Sequence, residues 1–157
     1  MPTPILTACR QAVWTAIDTH VPLQGVFKRR YKFEDKPGGV GKKNLQPNPT
    51  MGEIPALAIY PAQPSSGWVL NQNQQVMYPL QFTFWTADWD VLKAEFLWEE
   101  LIKAVYLNLE PGTGASNRVI GFSPLAAQSV ELADGPAATQ WTFVLDVRAA
   151  FWNPRVT

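Results

Sequence analysis

Val76-Met77-Tyr78-Pro79-Leu80-Gln81-Phe82-Thr83-Phe84-Trp85 is the stretch on which the fold turns. Side chains of a strand alternate between its two faces. Val76, Tyr78, Leu80, Phe82 and Phe84 therefore share one face, with Gln81 and Thr83 opposite. Pro79 cannot donate to a ladder, which predicts an edge position or a bulge. Directly afterwards the period changes to that of a helix, running from Asp88 as N-cap to about Asn108. Val91, Ala94, Trp98, Leu101, Ile102 and Val105 form its apolar stripe, and Lys93, Glu95, Glu99, Glu100 and Lys103 its wet side. Pro111-Gly112 stops it.

Working outward toward the N-terminus, Ile54 to Tyr60 reads as a short strand closed by Pro61, with Pro55 at its start or on an edge. Glu34 to Gly52 carries seven Pro or Gly residues and almost nothing apolar, and is expected to be a long mobile loop. Before it, Val26 to Phe33 reads as a strand: Phe27, Tyr31 and Phe33 on one side, Lys28, Arg30 and Lys32 on the other. The chain opens with a helix, Thr3 as N-cap and Pro4 in its first turn. Its stripe is Ile5, Cys9, Val13 and Ile17, flanked by Leu6 and Ala16. Toward the C-terminus, Arg118 to Phe122 and Ser129 to Leu132 are short strands, and Asp134-Gly135-Pro136 is a turn. Ala138 to Trp152 is a long strand with Trp141, Phe143, Leu145, Val147 and Phe151 on one face. The order is α-β-β-β-α-β-β-β, an α+β fold. Strands grouped in runs favour a mainly antiparallel sheet with both helices on one face.

The length, 157 residues, suits one domain with a core of its own. Charged residues are 17% of the chain, against about 25% in an average soluble domain, and 13 basic residues balance 13 acidic ones. Seven Trp, eight Phe and four Tyr accompany this neutrality. A subunit that buries surface against other subunits fits that composition better than a free monomer, which carries net charge. Met1-Pro2-Thr3-Pro4 lacks a basic n-region, so a signal peptide is not expected. No run approaches the ~18 apolar residues of a membrane span.

Groups for catalysis are scarce. His20 is the sole histidine and Cys9 the sole cysteine, which excludes the usual zinc sets. Cys9 lies on the apolar stripe and reads as core, and His20 reads as a helix-end residue. Glu99 and Glu100 diverge on the helix and do not form an acid/base pair. Gly38-Gly39-Val40-Gly41-Lys42-Lys43 fails the phosphate-loop pattern, because Lys43 stands where Ser or Thr is needed and no helix follows. Neither an enzyme nor a cofactor is expected. Lys28, Arg30, Lys32, Lys36, Lys42 and Lys43 form a candidate basic contact surface for an acidic partner or nucleic acid. Trp68, Trp89 and Trp152 fall off the buried stripes and are candidates for a subunit interface. Arg118, Glu131 and Asp146 are the polar groups left to line a pocket, should the chain be a small ligand-binding domain.

Four features in order resemble the tail-terminator, tail-completion and neck-terminator proteins of tailed bacteriophages. They are the helix Ile5 to Ile17; the strand Ile54-Pro55-Ala56-Leu57-Ala58-Ile59-Tyr60-Pro61 after an extended loop; the aromatic strand Tyr78 to Trp85 running into the Asp88–Asn108 helix; and the late strand Trp141 to Arg148. The resemblance is one of pattern over most of the chain. It implies a non-catalytic virion protein, made in the host bacterial cytoplasm. Such a protein forms a ring, usually hexameric, at the head-proximal end of the tail. The ring stops tube polymerisation and presents a surface to the head connector. The implied partners are copies of the chain, the tail-tube protein, the head connector or adaptor, and DNA passing through the lumen, with no membrane. A head-completion adaptor, a tail-tube subunit and a small ligand- or DNA-binding α+β domain are the alternatives.

Overall fold

The structure, a computed structural model, describes residues 4–34, 47–62, 77–109, 111–112, 115–116 and 118–148. Its elements are α1 (Ile5–Asp18), β1 (Arg29–Lys32), β2 (Ala56–Pro61), β3 (Met77–Thr86), α2 (Val91–Asn108), β4 (Pro111–Gly112), β5 (Ala115–Ser116), β6 (Arg118–Phe122), β7 (Ala126–Glu131) and β8 (Ala137–Arg148). The α+β order holds, with a two-residue pair, β4 and β5, added after α2. Among the described residues the main sheet has six strands in the order β1-β2-β3-β8-β6, with β7 also beside β8. All its pairs are antiparallel except β1 with β2.

Both helices pack on one face of this sheet. Cys9, Val13, Trp14 and Ile17 of α1 and Ala94, Leu97, Leu101, Ala104 and Val105 of α2 meet Leu57, Ile59, Tyr78, Leu80, Phe82, Phe84, Trp141, Phe143, Leu145 and Val147. The alternation in β3 and β8 thus places the residues it predicts. Phe82 and Phe143, opposite each other in the register, stack with ring centroids 4.9 Å apart. Burying each such ring contributes about 1.5–3 kcal/mol, so this seam anchors the sheet. A smaller core on the far face joins Tyr31, Ile54, Ala56, Ala58, Trp85, Leu132 and Ala138.

Several local expectations are corrected. Pro79 lies in a central strand, between β2 and β8, not at an edge. Its carbonyl accepts from Ala62 N–H at 2.9 Å, so its missing donor faces the place where β2 has just ended. The ladder to β8 therefore loses nothing. The first strand is short, Arg29 to Lys32. Phe27 precedes it and enters the larger core, whereas Tyr31 enters the smaller one, so Phe27, Tyr31 and Phe33 share no face. Pro4 stands before α1 with ψ 147, outside the helix, and Thr3 lies outside the described residues. Asp90, not Asp88, caps α2, accepting from Lys93 N–H at 3.1 Å.

The 34–52 segment was expected to be mobile throughout, but its last part is built into the fold. Pro47 and Pro49 are buried, and Ala133 N–H donates to the Pro49 carbonyl at 3.0 Å. Thr50 and Glu53 form a capping box around a turn at Met51–Glu53. Residues 35–46 lie outside the described residues.

Candidate assembly surface

Among the described residues the sheet ends in two unlike margins. At one, β1 carries Arg29, Arg30 and Lys32 with Lys28 just before it; Lys28 N–H continues the ladder by donating to the Pro55 carbonyl at 2.7 Å. Lys28 and Lys32 are exposed and Arg30 is half-buried. Arg29 pairs with Glu53 at 3.6 Å and covers the Tyr31 ring at 4.7 Å. Arg30 pairs with Asp18 at the end of α1. Arg30 and Lys32 lie 6.0 and 5.9 Å from the centre of the Trp14 ring, on the helix side of the sheet. Trp14, buried on α1, gives these cations an apolar bed and an attractive ring face. Of the six expected basic contacts, the structure brings Lys28, Arg30 and Lys32 to this edge, and Lys36, Lys42 and Lys43 lie outside the described residues.

The other margin is made by β7 and β6 end to end along β8, β7 on Ala137–Thr142 and β6 on Leu145–Arg148. In β7, Ala126, Ala127, Gln128, Ser129 and Glu131 are exposed and only Val130 is half-buried, against the smaller core. No Lys, Arg or Pro blunts this strand, unlike most natural sheet edges. Ile120 and Phe122 of β6 are half exposed beside it. Phe122 packs edge-on against Trp98 of α2 at 5.7 Å. Trp89 is 61% exposed, and its ring lies 5.4 Å from that of Trp141, the register partner of Ala127. Trp89, expected at an interface, is thus exposed over β8, one strand in from this margin; Trp68 and Trp152 lie outside the described residues. Away from the margin, Leu92 and Phe96 are further apolar side chains exposed on α2.

The groups with catalytic potential occupy structural positions. Burial pushes the Cys9 thiol up to about 12, so it holds its proton at any ordinary pH. His20 Nε2 and Glu100 Oε2 are 2.7 Å apart, with both side chains nearly buried, tying the end of α1 to the middle of α2. Glu100 was expected on the wet side of α2, and this is corrected: antiparallel packing of the helices turns it inward. The bond from His20 holds its carboxyl below the usual range, aided by Lys103 against the opposing effect of burial. Arg118, Glu131 and Asp146 do not converge. Glu131 pairs with Ala137 and Asp146 with Gly121, so they stand at opposite ends of β8. At ~3.3 Å per residue those ends are about 30 Å apart. Among the described residues no group of His, Cys, Asp or Glu could hold a metal ion, and no helix is long and apolar enough to cross a membrane.

The sequence reading missed Arg10. It is 8% exposed, with Nε donating to Glu34 Oε1 at 2.9 Å, Nη1 to the Tyr78 hydroxyl at 2.6 Å and Nη2 to Thr7 Oγ1 at 3.2 Å. The Phe33 ring lies 4.8 Å away. Burial works against the Glu34 charge, but its backbone hydrogen bond and Arg10 hold the carboxyl below the usual range. The network fixes the turn at Phe33–Glu34 against α1 and the start of β3. A signal was present: Arg10 and Trp14 stand four apart, beside Cys9 and Val13 on the same helix. A stripe read only at Cys9, Val13 and Ile17 was too narrow.

No family model matches the chain, and no curated protein matches it.

Proposed function

We propose that this chain is a non-catalytic, ring-forming structural subunit of a tailed-phage virion, a terminator or neck protein at the head-proximal end of the tail. The observation that carries the proposal is the margin at β7, an edge strand among the described residues that carries no Lys, Arg or Pro, is largely exposed and has the exposed Trp89, Ile120 and Phe122 near it. An edge of that kind is a template for another chain, and the apolar side chains around it add surface worth burying. The fold order and the four sequence features resembling phage terminators give the reading its biological setting. In that setting the ring, hexameric by resemblance, ends tube growth and meets the head connector.

A tail-tube subunit or head-completion adaptor would use the same margin. A DNA-binding role has weaker support, because Arg29 and Arg30 are already paired with Glu53 and Asp18. Light scattering and negative-stain microscopy of the purified protein, with and without purified tail tubes, separate these readings. Closed rings, free or capping tube ends, are expected, and long stacks indicate a tube subunit instead. A protein that stays monomeric and binds neither tube nor connector refutes the proposal.

A further inference from the structure

The two sheet margins are complementary to each other, and we infer that the β1 edge of one copy adds to the β7 edge of the next. This rests on the ring-forming reading above and names the contact that would build it. Direction comes first. β2 is parallel to β1; β3 is antiparallel to β2, β8 to β3, and β7 to β8. Hence β7 runs opposite to β1. When copies are related by rotation about an axis along the strands, β1 of one copy meets β7 of its neighbour as an antiparallel pair. Such pairing is head-to-tail, the kind of contact that closes into a ring, by the ordinary route of strand addition.

Level comes second. Through the ladders, Arg29 is in line with Ala56, Trp85, Gln140 and Gln128. Arg30 is likewise in line with Leu57, Phe84, Trp141 and Ala127. The two free edges therefore stand at the same height on the sheet, and one copy can continue another without stagger. Lys28, one residue before that register begins, stands nearest the neighbour's Ser129 and Glu131, close enough for a long side chain to reach. Arg30 falls opposite the neighbour's Ala127, whose register partner Trp141 has the exposed Trp89 ring 5.4 Å away.

Charge comes third. The β1 edge carries Lys28, Arg29, Arg30 and Lys32, the two arginines paired with Glu53 and Asp18, whereas the one charged residue of β7 is Glu131, with Asp88 and Asp90 flanking Trp89. Among the described residues Lys28, Glu131, Asp88 and Glu95 have no ion-pair partner within the chain. The basic edge repels a copy of itself and accepts the acidic one, which selects head-to-tail over two-fold pairing at β1.

The test is a cysteine pair, Lys28→Cys with Ser129→Cys, both at exposed positions, in the full chain. Under mild oxidation the double variant should give a covalent ladder of multimers on a denaturing gel. Each single variant should give none, and an equimolar mixture of the two singles should give dimers only. Lys28→Glu should weaken self-association at least tenfold by light scattering, and adding Glu131→Lys should restore most of it. Oligomers that form without the ladder overturn the edge pairing and leave the ring reading standing. Cross-linking by Ser129→Cys alone indicates two-fold β7 pairing and also overturns it. A strict monomer with no ladder overturns both.

Discussion

Replacing Arg10 by Met keeps the aliphatic stem and removes the guanidinium, which isolates the value of the network around it. Three acceptors lose their donor, and they differ in how well water can take its place. The Tyr78 hydroxyl is inside, on a residue 3% exposed, so its lost partner costs about 1–3 kcal/mol. Glu34 keeps a side chain 40% exposed and rehydrates, adding no more than about 1 kcal/mol. Thr7 is half-buried and reachable by water. The expected loss is about 2–4 kcal/mol, a fall in Tm on the order of 5–15 °C for a chain of this size. Urea unfolding followed by tryptophan fluorescence measures it, with the slope m unchanged. Adding Tyr78→Phe to Arg10→Met removes the orphaned hydroxyl, and the double variant should regain part of the loss, with a coupling of about 1–2 kcal/mol in the cycle. A cost under about 0.5 kcal/mol for Arg10→Met, or strictly additive effects, refutes the network as a source of stability.

Cys9 should resist a thiol reagent at pH 8 in the native protein and react fully in denaturant, since its thiol is buried and pushed up to about 12. Rapid native labelling would show that α1 does not pack as described. Folded Glu100 releases its proton more readily than it does in the unfolded chain, so its contribution is present at neutral pH and is lost as pH falls through its lowered value. Unfolding free energy should therefore drop below about pH 4.3, and Glu100→Gln should show a smaller drop; identical pH profiles would remove the His20–Glu100 pair from the account.

Residues close in the chain were legible without coordinates wherever their environment was set by period alone. The faces of β3 and β8 follow from alternation, because a long strand packed against helices gives every second residue the same apolar neighbours. The reading failed where a neighbour distant in sequence decided the outcome. Glu100 looks like part of a solvated helix face until α1 brings His20 against it, 80 residues away. Pro79 looks like an edge residue until the end of β2 is placed opposite its nitrogen. Lys28, Arg30 and Lys32 were recognisable as a basic strand, but nothing local shows that this strand is an outer one.

Sequence alone determined the α+β order, the positions of the main strands and both helices, and the core faces of β3 and β8, while the helix stripes it read left out Trp14, Leu97 and Ala104 and took in the exposed Val91. These depend on spacing within a single element, which the chain carries in itself. Only the tertiary structure decided which described strands stand at the margins, which charged residues they bring there, and that Arg10 and Glu100 are buried. Each of these depends on which elements become neighbours, and packing settles that between residues far apart in the chain.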